Sequence, residues 1–197
     1  FDDQTMKIYD LGVDGPDANN FPDNTTPTEI LSLGFPINMG PILGAQYDRI
    51  NKVINVGVGP VIGNYDPINY IYAFDIDDTS ISTLAATAGQ VVATLNYVPT
   101  DLLLTPDGDQ LVVGGNHTTD GHLSLLNIGA DGNNVIVAVA DLPLSPPFTL
   151  CGKSLAFDSN VQLWVTYRSS GGPNPGRSLE VDLASFTFTG NQFTYGG

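Results

Sequence analysis

The residues best suited to chemistry in this 197-residue chain fall into two groups. The first is a set of rings and cations in long, Gly- and Asn-rich stretches: Tyr65, His117, His122, Tyr167, Arg168 and Arg177. Long loops on a rigid scaffold are where recognition usually sits, so these six are the candidate ligand contacts. His117 and His122 span a turn and could hold a metal, but no Cys or carboxylate stands beside them at ligand spacing. The second group is acidic, with Asp75, Asp77 and Asp78 in one cluster and Asp107 and Asp109 in another. Such clusters would take calcium, although neither has the spacing of an EF-hand loop. Asp is also what turns use to cap local backbone N–H groups, and that reading accounts for the same residues.

Catalytic patterns are missing by comparison. There is no Gly-x-Ser-x-Gly elbow and no His-Glu-x-x-His pair. Gly152-Lys153-Ser154 is not a phosphate loop, because Pro147 occupies the place of its first glycine and a strand follows. The two Glu, Glu29 and Glu180, both fall in predicted strands, so a carboxylate pair for acid/base work would have to be built from Asp. No catalytic residue is assigned.

The elements that would position these groups are strands. Short runs of Val, Ile, Leu, Tyr and Phe alternate with clusters of Gly, Pro, Asn and Asp, and no long window has a helical period. One pattern, a strand end, an Asp-bearing turn and a second strand, occurs at 47–57, 105–114 and 157–167. With flanking strands it defines units over 27–78, 90–130 and 131–184. A strand at 6–11 opens the chain within a unit 1–26, and another closes it within 185–197. Strands ending Tyr9-Asp10-Leu11, Phe74-Asp75-Ile76, Leu126-Asn127-Ile128 and Val181-Asp182-Leu183 recur at roughly 50 to 65 residues, a repeat spacing. A four-stranded antiparallel unit repeated radially is a β-propeller blade. The expected fold is therefore all-β: a single propeller domain or segment over 1–197, a partial ring of about three blades plus strands of a closing blade. A β-sandwich fits the composition but does not require matching segments at this spacing.

Composition limits the partners. The formal net charge is -15, with 19 Asp and two Glu against six Lys plus Arg, which argues against nucleic acid or an anionic membrane surface. No apolar run is long enough to insert into a membrane as a helix. In a meander the acidic turns gather on one face of the disk and the long loops on the other, so one face is expected to be strongly acidic. The lone Cys151 excludes an intrachain disulfide and reads as a small buried apolar residue. A start at Phe1 rather than Met is expected of a processed or excised segment. Sequons at Asn24 and Asn116, both in predicted loops, are the candidate glycosylation sites and fit an extracellular or cell-surface location. The apolar strand around Trp164 places that residue in the core.

The segments Leu155-Ala156-Phe157-Asp158-Ser159-Asn160 with Leu163-Trp164-Val165-Thr166, and Leu104-Thr105-Pro106-Asp107-Gly108 with Leu111-Val112-Val113, resemble blades of the YVTN, NHL and gluconolactonase-like propellers. The resemblance covers roughly 40–185, and it implies the fold rather than an activity. In the gluconolactonase-like branch it also implies a channel metal, held by an Asn before the Pro-Asp-Gly turn and an Asp after the following strand. The matching positions are Thr100 and Gly115, with Tyr167 in the next unit, and none is a carboxylate. The expected function is a binding or structural scaffold whose partner is a protein or carbohydrate, other copies, or the remainder of the ring. A lactonase-like or lyase-like enzyme with part of its site outside this segment, and a calcium-dependent adhesin, are the alternatives.

Overall fold

Each Asp-bearing turn of the sequence becomes a hairpin. The computed structural model describes residues 5–10, 28–35, 42–59, 69–77, 85–86, 89–116, 121–128, 134–141, 150–169 and 176–194. In chain order, β1 (Thr5–Asp10) and β2 (Thr28–Gly34) form a two-stranded antiparallel sheet. Blade I follows as β3 (Ile42–Asp48), β4 (Val53–Val58) and β5 (Asn69–Asp77). Its outer edge is made by β6 (Ala85–Ala86) and β7 (Gln90–Leu95), which both pair with β5. Blade II is the meander β8 (Val98–Leu104), β9 (Gln110–Asn116), β10 (Gly121–Ile128) and β11 (Asn134–Asp141). Blade III repeats it with β12 (Leu150–Phe157), β13 (Leu163–Ser169), β14 (Arg177–Asp182) and β15 (Thr187–Thr194). The described elements are all strands in propeller-type blades.

The sheets are framed one strand later than the sequence units. The strands read as openers of units 90–130 and 131–184 are β7 and β11, and they hydrogen-bond to the preceding β5 and β10. The last strand, expected beside the first in a closing blade, is β15 and completes blade III on β14. The cause is the tight turn between them: Asp182 Oδ1 accepts the Ser185 N–H and hydroxyl, both at 2.7 Å, so the chain folds straight back on itself. By the same frame, β1 and β2 correspond to the outer pair of a fourth sheet.

The inner strands β3, β8 and β12 carry a bulge at one equivalent place, at Leu43, Thr100 and Lys153. Pro99 is tolerated in β8 because that strand is the inner edge of its sheet. Beyond the bulge the blades interlock. Leu102 of β8, 3 % exposed, lies over Gly44 and Gly57 of blade I, where an added Cβ would stand 2.8 and 3.0 Å from its Cδ1. Leu155 of β12 lies likewise over Gly114 of blade II, 3.3 Å from where a Cβ would be. Around these seats the alternate residues of each strand form apolar layers. Ile71, Leu95, Leu111, Val113 and Leu126 fill the layer between blades I and II, and Val112, Leu123, Leu125, Leu163, Val165 and Val181 the next. Asp101 adds a polar clamp: its Oδ2 accepts the Leu155 N–H of the neighbouring blade at 2.7 Å. A third layer joins blade I to the two-stranded sheet through Met6, Ile8, Leu31 and Leu33 against Ile54, Val56, Tyr72 and Phe74.

The hairpin turns use a left-handed residue near their end: Lys52 (φ 57°), Gly108 (φ 80°) and Val161 (φ 64°). Only the glycine adopts that conformation cheaply, and a β-branched side chain is the worst choice for it. Val161 is exposed, so nothing in the core compensates. Val161→Asn is expected to stabilise the protein by about 1 kcal/mol in urea unfolding, since Asn tolerates this region; a loss of stability would contradict the strain.

Candidate functional site

The strands run so that the Asp-bearing turns and the far ends of β5, β10 and β14 share one end of the sheets. Backbone bonds tie them there, Ile76 N–H to Lys52 O at 2.8 Å and Ile128 N–H to Asp109 O at 3.0 Å. The hairpins joining β9 to β10 and β13 to β14 open at the opposite end. These are the two faces that the sequence predicts.

On the turn end, Asp48, Asp107 and Asp158 are occupied by the turns themselves. Asp48 Oδ1 accepts the N–H groups of Ile50 and Asn51 at 2.9 and 3.0 Å, and Asp158 Oδ1 accepts those of Asn160 and Gln162 at 2.8 and 2.9 Å. In blade II a hydroxyl takes this place. Thr105 Oγ1 accepts the Gln110 N–H at 3.0 Å and donates to Asp107 Oδ1 at 2.6 Å. Asp107 also accepts the Asp109 N–H, at 3.3 Å. Asp75 and Asp77 project from the same side of β5, exposed, and Asp78 lies outside the described residues. Among the described residues no three His, Cys, Asp or Glu come together as a metal site.

On the loop end, β13 and β14 place Tyr167 directly opposite Arg177, and Arg168 pairs across β12 with Cys151. Tyr167 and Arg177 thus share a face at the loop end of blade III, and Arg168, next in β13, falls on the opposite face. The Arg177 Nη1 reaches Gln192 Oε1 at 3.5 Å. His122 is the second residue of β10 in blade II and stacks on the Tyr97 ring, 5.3 Å between centroids and 22° from parallel. The Tyr97 hydroxyl donates to Val113 O at 3.2 Å. Burial pushes the Tyr97 phenol up, against an opposing hydrogen bond from Ser124, so it stays protonated. Tyr65, His117 and Asn24 lie outside the described residues. Asn116 was expected in a loop and is instead the last residue of β9, paired with Val98 and Gly121.

The positions that a catalytic propeller would give to a channel metal serve packing. Thr100 is the bulged residue of β8, and its hydroxyl donates to Gly114 O at 3.2 Å. Gly115 is covered by Tyr97: a Cβ there would stand 2.2 Å from Val98 O and 2.4 Å from the ring.

One group of residues escaped the sequence reading. Trp164, expected in the core, points from β13 to the outer face of blade III, where its ring meets that of Phe193 at 4.7 Å and its Nε1 donates to Asp158 Oδ2 at 3.2 Å. Beside it, Glu180 Oε2 accepts hydrogen bonds from Thr189 Oγ1 and, at 2.6 Å, from Asn191 Nδ2. Gly190 (φ 92°) forms the bulge that brings these donors in. Thr166 and Ser178 share a further bond of 2.7 Å. The signal was present in the repeat, since Ser178 and Glu180 occupy the positions of Leu123 and Leu125 in blade II.

No protein-family model and no curated protein matches the chain. Solved structures do. A protein from Lactobacillus plantarum aligns with TM-score 0.64 at 13% identity, covering 98% of this chain and 52% of its own. A hypothetical selenium-binding protein from Sulfolobus tokodaii aligns with TM-score 0.62 at 12% identity, over 86% of this chain and 44% of its own. A eukaryotic initiation factor follows with TM-score 0.50 at 11% identity, over 81% and 33%. The chain therefore spans about half the length or less of these structures. Their likeness is one of fold: a β-propeller blade array, the architecture of the YVTN, NHL and gluconolactonase-like propellers whose blade motifs this sequence resembles.

The capped turns set an acid limit. Hydrogen bonds from the Thr105 hydroxyl to Asp107, from the Gln162 N–H to Asp158 and from the Ser185 hydroxyl to Asp182 hold each carboxyl below the ordinary 3.8. A depressed folded value stabilises the protein above the unfolded value and loses that stabilisation as pH falls through the folded one. The melting temperature is expected to be flat above about pH 5 and to fall below about pH 4. Replacing the three Asp by Asn should flatten that fall; an unchanged acid limb would show that the caps do not supply it.

Proposed function

We propose that this chain is the propeller part of a secreted or cell-surface module that binds a protein or carbohydrate and acts as a structural scaffold rather than as an enzyme. One observation carries the reading: Thr100 and Gly115, where a lactonase-like propeller would place metal ligands, are committed to a strand bulge and to close contact with the Tyr97 ring. A ligand or a carboxylate at Gly115 would have to displace Tyr97. The loop end of blade III, where Tyr167 stands opposite Arg177 and Arg168 follows in β13, is the recognition surface in this reading. The sequon at Asn24 supports an extracellular setting.

The test pairs an activity with a binding measurement. Gluconolactone supplied with calcium or zinc should be hydrolysed no faster than in buffer, and a glycan and matrix-protein array should show saturable binding that falls at least tenfold in the Tyr167→Ala, Arg168→Ala, Arg177→Ala variant. Metal-dependent turnover, or array binding indifferent to those three residues, would overturn the reading.

A further inference from the structure

The turn of blade II differs from its two counterparts in where it keeps its acid. In blades I and III the residue that caps the turn is itself an Asp, Asp48 or Asp158, and a residue with a side chain follows, Arg49 or Ser159. In blade II the cap is the Thr105 hydroxyl, and the acid stands two residues on as Asp107, directly before Gly108. An Asp followed by glycine is the pair most open to attack of the main chain on its own side chain, because no Cβ shields the glycine nitrogen. Ring closure joins the Gly108 nitrogen to Asp107 Cγ; the carboxyl hydroxyl leaves with the amide proton as water, and a succinimide results. Water then opens the ring, and opening at the α-carbonyl routes the main chain through the side chain as isoaspartate. The water released is balanced by the water consumed, so the change needs no oxidant, reductant or second substrate.

Each reacting group is held back. The Gly108 N–H donates to Thr105 O at 2.8 Å, and the carboxyl is fixed by Thr105 Oγ1 at 2.6 Å and by the Asp109 N–H at 3.3 Å. The hydroxyl has one proton, and the carboxylate is a nearer and stronger acceptor for it than Gln110 O at 3.1 Å. The same two hydrogen bonds, that from Thr105 first, hold the Asp107 carboxyl below the ordinary carboxylate range, and the ionised form does not close the ring. Thr105 is itself anchored, 5% exposed and with its oxygen accepting the Gln110 N–H at 3.0 Å. Asp107 is exposed, so its side chain has room to turn once the bond to Thr105 is gone.

We infer that Asp107 and Gly108 form a latent self-modification site of this chain, and that the Thr105 hydroxyl is the positioning group that keeps it closed. Isoaspartate there adds one methylene to the main chain between Thr105 and Gln110. The Thr105 N–H donates to Gln110 O at 2.9 Å across that turn, so the longer chain opens the hairpin of β8 and β9 at its tip. The product is a substrate for the isoaspartyl methyltransferase class of repair enzyme. The inference does not rest on the scaffold reading above, because the turn lies at the opposite end of the blades from the loop end.

The test stores the whole chain in neutral buffer and follows isoaspartate at position 107 by peptide mapping with enzymatic methylation, beside a free peptide of residues 103–112. The folded chain is expected to form it at least tenfold more slowly than the peptide. Thr105→Val should speed it at least fivefold, and Thr105→Ser should restore the wild-type rate. Three further Asp-Gly pairs, beginning at Asp14, Asp120 and Asp131, report on loosening elsewhere, and their rates should be the same in all three proteins. Leu155→Ala, which unseats a blade without touching this turn, should leave the rate at 107 unchanged. Equal rates in chain and peptide, a valine variant no faster than wild type, or a serine variant as fast as the valine one would each overturn the inference. So would acceleration at all four pairs together, or by Leu155→Ala, because general loosening of the fold would then be the cause.

Discussion

The fold depends on a leucine of one inner strand resting on glycine of the blade before it. Leu102 over Gly44 and Gly57, and Leu155 over Gly114, let two twisted sheets approach where they converge toward the ring axis. Any side chain at these glycines would hold the sheets apart and empty the layers behind them, and interiors packed as densely as organic crystals do not forgive that. The requirement reaches back into sequence: the glycines lie in the middle of strands, where they weaken the strand itself, and are retained for the approach they permit. Asp101, reaching across to the Leu155 N–H, fixes the same contact in the second direction.

From that seat the rest of the molecule follows. The bulges at Leu43, Thr100 and Lys153 turn the inner strands so that the next residue but one faces the neighbouring blade. The capped turns hold the hairpins in register at one end, which leaves the opposite end for longer connections and for the Tyr167 and Arg177 pair. The charge of the turn end is a by-product of capping, since Asp48 and Asp158 direct their oxygens at backbone N–H groups. Function is therefore sought where side chains are not already committed, at the loop end.

Much of this was legible in the sequence. The repeated strand, Asp turn and strand gave the hairpins, and alternation gave the layers: Leu111 and Val113 face one way and Val112 the other. The frame was not legible. Periodicity is indifferent to which strand starts a unit, and only the tight Asp182 turn assigns β15 to blade III. Trp164 was misplaced because an apolar strand context says that one face is buried without saying which residues lie on it. Comparing Ser178 and Glu180 with Leu123 and Leu125 position by position would have found the changed face. The bulges and the Asp101 clamp had no local signal, because both depend on how neighbouring sheets converge.

A double-mutant cycle at the second seat tests the central claim most directly, because the atoms closest to a Cβ at Gly114 all belong to Leu155. Gly114→Val and Leu155→Ala should each destabilise the protein, by about 2 and about 3 kcal/mol. If the leucine rests on the glycine, the double variant costs less than the sum by more than about 1 kcal/mol, because removing the leucine makes room for the valine. Additivity within about 0.5 kcal/mol would mean that the two residues do not share a seat, and the account of how the blades stack would fail.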